Sequence, residues 1–151
     1  MSTVIETLFN GVSRLCGRFF GSRSLRPYEQ LALSGWRDTL SQKHQHTLDE
    51  QLGAFDSMQR QAGDAKVCFF YDSRKNIPLF GNAAPAVHVA DVLLASTIPN
   101  KGESIRVKMF IHEGYFFSIE FPKRPKRYFE LHHMQPDKLR VSKVEMFSVL
   151  D

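Results

Sequence analysis

The sequence has few of the residues that build covalently linked or metal-bound proteins. Its 151 residues include two cysteines, Cys16 and Cys68, which are too few for a disulfide framework and lack metal-ligand spacing. The six histidines include no HExxH pattern, and His44 and His46 would point to different sides of a helix. We therefore expect no metal and no cofactor, and free thiols in a reducing compartment.

Long apolar runs are also missing. No window approaches the ~18 consecutive apolar residues of a membrane-spanning helix. The N-terminus does not match a secretory signal either, because Glu6, Asn10 and Arg14 interrupt its apolar residues. We expect a cytoplasmic protein, with peripheral attachment to a membrane as an alternative.

Catalytic motifs are absent from the sequence. The nine glycines form neither a phosphate loop nor a dinucleotide fingerprint, and Cys68 lies within a strand-like run with nothing to activate its thiol. The carboxylates are scattered, and Asp91 is expected to face outward from an apolar strand. The pattern favours a protein that is not an enzyme. A small enzyme with a pocket near the loop 72–86 is the least favoured alternative.

The N-terminal segment 1–21 has the spacing of an amphipathic helix. A continuous apolar stripe lies on one face of this helix, and the opposite face carries Glu6, Arg14 and Arg18. Such a stripe packs on its own domain, on a partner or on a membrane surface, and all three remain open. The residues expected to dock are Leu8, Phe9, Val12, Leu15, Phe19 and Phe20.

A linker over 22–27 separates this segment from a single α+β domain over 28–151. The apolar spacing predicts helical structure from 28 to 62, with a break near the polar run 41–46, Pro27 in the first turn and Gly63 as the C-cap. Trp36 is the largest side chain on the predicted buried stripe and is expected to lie in the core.

From residue 66 onward the apolar period changes from 3.6 to 2, which predicts an antiparallel meander packed on a helix. This layout resembles cystatin-like and similar small α+β folds, a likeness of architecture that implies no function. The expected strands number five to six and are 66–71, 87–96, 104–111, 115–121, 128–132 and 139–149.

The sequence also predicts the register of one hairpin. A three-residue loop ending at Gly114 keeps the apolar side chains of both strands on one face, whereas a two-residue loop mixes the faces. The three-residue loop places Arg106 opposite Glu120 on the other face. It pairs Ile111 with Tyr115, Met109 with Phe117, Val107 with Ile119, and Ile105 with Phe121.

The net charge of +4 is concentrated near the C-terminus. Basic residues there could bind an acidic protein, a lipid surface or nucleic acid, or only solvate a strand connection. We expect a non-catalytic interaction module, of the adaptor, chaperone-like, inhibitor or immunity type, that docks a protein partner. A nucleic-acid-binding protein using the strip 123–143 is the alternative. The strip contains Lys123, Arg124, Lys126, Arg127, Lys138, Arg140 and Lys143.

Overall fold

The computed structural model describes residues 25–81, 83–147 and 150, and shows an α+β fold within them. The helices are α1 (Pro27–Arg37), α2 (Gln42–Ala54) and α3 (Pro125–Leu131). The strands are β1 (Ser57–Arg60), β2 (Lys66–Phe70), β3 (Val87–Ser96), β4 (Ile105–His112), β5 (Tyr115–Glu120) and β6 (Leu139–Met146).

The six strands form one antiparallel sheet in the order β1-β2-β5-β4-β3-β6. The expected meander is therefore wrong in part. Strands β1 and β2 are neighbours in both sequence and space, as are β3, β4 and β5, but β2 pairs with β5 rather than β3, and β6 returns to β3. The helices are not all N-terminal either, because α3 lies between β5 and β6 in the chain.

The first two helices begin with recognisable local signals. Pro27 occupies the first turn of α1, as predicted, and the Glu29 carboxylate accepts a hydrogen bond from the Arg26 backbone N–H at 2.7 Å. Ser41 caps α2 by accepting from the His44 backbone N–H at 3.3 Å. The polar run 41–46 thus forms the start of α2, and the break between the helices lies just before it.

The predicted helical stretch is too long at its C-terminal end. Helix α2 ends at Ala54, and Phe55 is already extended. The edge strand β1 then runs over Ser57–Arg60, and its Met58 pairs with Phe69 of β2. Strand pairing satisfies the backbone groups of β2 that would otherwise stay open, and this outweighs the helical spacing of the apolar residues. Gly63 is not a helix cap but part of the turn that joins β1 to β2.

The core combines side chains of α1 and α2 with alternating residues of the sheet. Trp36 is fully buried, as predicted, and its ring lies 5.4 Å from Phe116 of β5 and 6.3 Å from Phe80. We call the sheet face that carries these buried residues the inner face, and the opposite one the outer face. The inner face includes Val67, Phe69, Val92, Leu94, Val107, Met109, Ile111, Phe116 and Ile119.

The predicted register of the β4–β5 hairpin is wrong. The turn has two residues, Glu113 and Gly114, both with positive φ, which is the type I′ pattern. A bulge at Phe117 then shifts the register, so that Met109 pairs with Ile119 rather than with Phe117. The extra residue in β5 restores the apolar side chains to one face, which is why the two-residue loop is compatible with this sequence.

The predicted strand 128–132 is also wrong, because these residues belong to α3 and the turn that follows it. Pro125 occupies the first turn of this helix, where its missing N–H costs nothing. Pro125 and Tyr128 are buried three residues apart, as on one side of a helix. A run this short does not distinguish a strand from a helix by spacing alone.

The side chain of Gln51 joins α2 to the hairpin turn and to the long loop 72–86. Its amide nitrogen donates to the Pro78 and Gly114 carbonyl oxygens, each at 2.9 Å, and its oxygen accepts from the Phe116 N–H at 2.7 Å. Phe80 from the same loop is buried between Trp36 and His44. The long loop is thereby packed against both α1 and α2.

Replacing Trp36 with alanine tests the core directly. Because the indole is fully buried between α1 and the sheet, we expect Trp36→Ala to lower the free energy of unfolding by about 3–5 kcal/mol. Urea unfolding followed by circular dichroism measures the change. An unaltered unfolding midpoint would show that α1 does not pack into the core.

Two glycines should respond to alanine in opposite directions. At Gly114, φ is +84° and an added Cβ would lie 2.8 Å from the Phe80 carbonyl oxygen, so Gly114→Ala should destabilise by more than about 1 kcal/mol. At Gly53, in the last turn of α2, nothing lies within 4 Å of an added Cβ, so Gly53→Ala should stabilise by up to about 1 kcal/mol. Shifts of the same sign in urea unfolding would contradict the turn geometry.

Candidate functional site

A cavity of about 680 Å³ lies where the connection from β5 enters α3. Basic side chains from the sequence-predicted strip form part of its wall, and a single carboxylate faces them. Apolar atoms complete the wall, including the side chain of Leu131, which is 69% exposed. We call this the basic cavity; its lining residues are Glu103, Pro122, Lys123, Arg124, Arg127, Tyr128, Leu131 and His132.

Tyr128 connects the helix side of the basic cavity to the loop between β3 and β4. Its hydroxyl donates to the Glu103 backbone carbonyl, and its ring lies 4.5 Å from the His132 ring. Burial raises the pKa of Tyr128, so this hydroxyl stays protonated and keeps donating. The opposite wall of the cavity is thereby fixed to α3.

Helix α3 is in turn held against the rest of the domain through α1. The Tyr28 ring lies 5.3 Å from Phe129 and 5.5 Å from Phe121, and its hydroxyl donates to Asp64 in the turn before β2. The pKa of Tyr28 is raised strongly, first by burial and then by its hydrogen bond to Asp64. These contacts hold α3 in place against α1.

The same turn positions Arg124. Its Cδ lies 3.1 Å from the point that a Cβ on Gly63 would occupy, so the stem of the arginine lies directly on the glycine backbone. Gly63 has a φ of +70°, which a residue with a side chain rarely adopts. Gly63, which was expected to cap a helix, therefore provides the backbone surface on which Arg124 of the cavity wall packs.

Positive charge predominates in the basic cavity. Lys123 pairs with Glu103 at 2.6 Å between Nζ and Oε2. Neither Arg124 nor Arg127 has a carboxylate partner among the described residues. Two guanidinium groups thus face a concave surface without internal neutralisation, which is an arrangement that attracts anionic groups.

The structure divides the predicted basic strip. It brings Lys123, Arg124 and Arg127 together around the cavity, while Lys126 lies on α3 but does not line it. The remaining cations lie on other elements. Lys138 is in the turn before β6 and contacts Asp137 at 3.7 Å, and Arg140 and Lys143 are on β6, the latter paired with Glu145.

Asp91 forms a second polar cluster, and the expectation that it faces solvent is wrong. It is 1% exposed, accepts from the Arg106 guanidinium at 2.6 Å and lies 2.7 Å from Nε2 of His88. The His88 ring stacks on Phe110 at 4.9 Å. Arg106 therefore bonds to Asp91 and not to Glu120, which pairs instead with Lys66 at 2.6 Å. The cluster links β3 to β4, and both carboxylate oxygens of Asp91 already have a hydrogen-bond partner.

A cysteine nucleophile and a metal site are the other kinds of chemistry considered from the sequence. Burial raises the pKa of the Cys68 thiol, which disfavours the reactive thiolate. Among the described residues, no group of three or more histidine, cysteine, aspartate or glutamate side chains could hold a metal ion.

The six predicted docking residues of the N-terminal segment, Leu8, Phe9, Val12, Leu15, Phe19 and Phe20, lie outside the described residues. In the described part of the chain, no helix has the length and apolar character needed to span a bilayer. At the first described position, Leu25 is buried at the edge of the core.

Five residues of the basic cavity were not among the site residues predicted from the sequence: Glu103, Pro122, Tyr128, Leu131 and His132. Comparison of the chain with family models, curated proteins and solved structures finds no match. The geometry of the described residues therefore provides the functional argument.

Proposed function

We propose that this protein is a non-catalytic interaction module that binds an acidic segment of a partner protein in the basic cavity. The observation that carries the proposal is the pair of guanidinium groups, Arg124 and Arg127, that line the cavity without a carboxylate partner among the described residues. Arginine forms bidentate hydrogen bonds with carboxylates, so an aspartate or glutamate side chain is a matching ligand.

The apolar wall supports a peptide rather than a bare anion. Leu131 and Pro122 line the same cavity as the cations, and the side chain of Leu131 is largely exposed there. A segment that carries both carboxylates and apolar side chains would cover this mixed surface. The cavity volume lies within the ~300–1,000 Å³ typical of ligand sites.

Nucleic acid is the alternative ligand for these cations. Sequence-tolerant binding of single strands uses aromatic rings on which bases stack. The aromatic residues beside the basic loop have their faces occupied, because Tyr128 is buried and Phe129 packs against Tyr28. The strip is also divided between α3 and β6, so these observations favour the acidic peptide.

The N-terminal stripe remains a proposed second docking element. The sequence pattern supports it, and a protein partner or a membrane surface is a suitable acceptor for an apolar helix face flanked by arginines. The proposal for the basic cavity does not depend on it.

Fluorescence anisotropy with a labelled peptide of alternating glutamate and glycine tests the cavity. The double variant Arg124→Gln with Arg127→Gln should bind about tenfold more weakly, because two charge-assisted contacts are lost. Lys126→Gln in the same helix is the matched control, since it removes a cation that does not line the cavity. It should reduce affinity by less than about twofold per charge removed.

Equal losses per charge in the cavity variants and in the control would mean that binding is only a general attraction between charges. A labelled oligothymidine is the second probe. If it binds more tightly than the peptide and loses affinity on replacement of Arg140 and Lys143, the nucleic-acid alternative replaces the proposal.

A further inference from the structure

Among the described residues, Glu103 is the one carboxylate that lines the basic cavity. Its Oε2 lies 2.6 Å from the Lys123 Nζ, and this contact, followed by the influence of His132, holds the pKa of Glu103 below its ordinary value. At neutral pH the cavity thus already contains an ionised carboxylate, which belongs to the protein itself.

The backbone around Glu103 packs closely against Tyr128, and this places the Glu103 carboxylate at the cavity. Gly102 has a φ of +77°, and an added Cβ there would lie 2.6 Å from the Tyr128 hydroxyl oxygen, so the loop approaches Tyr128 as closely as a glycine allows. The Tyr128 hydroxyl then holds the Glu103 carbonyl. The main chain at Glu103 is fixed to α3, while its side chain is 75% exposed.

The pair itself is easily broken. The side chains of Lys123 and Glu103 are 67% and 75% exposed, respectively. Exposed ion pairs of this kind contribute little, because water and salt screen the attraction. An incoming carboxylate would therefore displace Glu103 at little cost and gain Lys123 as a third cation.

We propose that Glu103 is an internal competitor for the ligand: its carboxylate occupies on Lys123 the position that a carboxylate of the partner takes. The inference rests on the proposed function and deepens it in two respects. It identifies the ligand group as a carboxylate, since a carboxylate already fits there, and it makes Glu103 the residue that limits affinity.

The test is the affinity of the full-length protein carrying Glu103→Gln for the same glutamate–glycine peptide. Removing the competitor should raise affinity by about two- to fivefold, the equivalent of one exposed ion pair. Folding is not at risk, because Tyr128 bonds to the backbone of Glu103 and not to its side chain.

Glu145→Gln is the matched control. It removes the carboxylate of a second lysine–glutamate pair, Lys143–Glu145, whose side chains are 60% and 34% exposed and which lies on β6, outside the cavity. Both substitutions change the net charge by the same amount. Because Glu145 lies outside the cavity, its replacement should raise affinity less than Glu103→Gln does. An equal increase in the two variants would overturn the internal competitor and leave only a general effect of charge.

A double-mutant cycle separates the two proposals. In a Lys123→Gln background, Glu103→Gln should no longer raise affinity, because the competitor has no cation to occupy. If the arginine variants weaken binding but Glu103→Gln has no effect in the wild-type background, the competitor is wrong and the proposed function stands. If the peptide binds neither wild type nor Glu103→Gln, the proposed function itself fails.

Discussion

The burial of one face of the sheet is the constraint on which the rest of the structure depends. Side chains such as Trp36, Phe116 and Met109 are fully removed from water only when the helices and the alternating strand residues meet on that face. Apolar burial on this scale is the main favourable term in folding. The connections are shaped to preserve it.

The hairpin shows how this constraint acts on local geometry. Glu113 and Gly114 prefer a two-residue turn, and a regular ladder continued from that turn would exchange the faces of β5. The bulge at Phe117 absorbs one residue and returns Ile119 to the inner face. Local turn preference and global burial are both satisfied, at the cost of one interrupted position in the ladder.

The basic cavity depends on the same packing through two tyrosines. Tyr28 fixes α3 to α1, and Tyr128 fixes the Glu103 loop to α3. Two chain segments that are separate in sequence, the Glu103 loop and residues 122–132, therefore meet at one concave surface. The cations are exposed, but the elements that carry them are anchored by buried rings, so the spacing of the charges follows from the core.

Much of the fold was predictable because the spacing of apolar residues and the positions of prolines and glycines are local properties of the sequence. The strands β2 to β6 follow from alternating apolar residues, and the start of α1 follows from Pro27. The bulge at Phe117 was not predictable, because its cause is the pairing partner rather than the sequence of β5. Strand β1 was missed for the same reason, since only its contact with β2 shows that it is a strand.

The candidate site was predictable only in its cations. Lys123, Arg124 and Arg127 form a recognisable cluster in the sequence, although they were expected in a strand connection and residues 128–132 were expected to be a strand. Glu103 lies twenty residues before Lys123, and no local pattern connects the two; their contact depends on the tertiary path of the β3–β4 loop. The sequence pattern identifies the charge, and the tertiary packing assembles the cavity.

The most direct measurement of the central claim is an NMR titration of the isotopically labelled full-length protein with the glutamate–glycine peptide. The account predicts saturable chemical-shift changes at the backbone amides of 102–104, 123, 124 and 126–132, where the walls of the basic cavity lie. Changes confined to β6, to the outer face of the sheet or to residues 1–24, with the cavity amides unaffected, would contradict it.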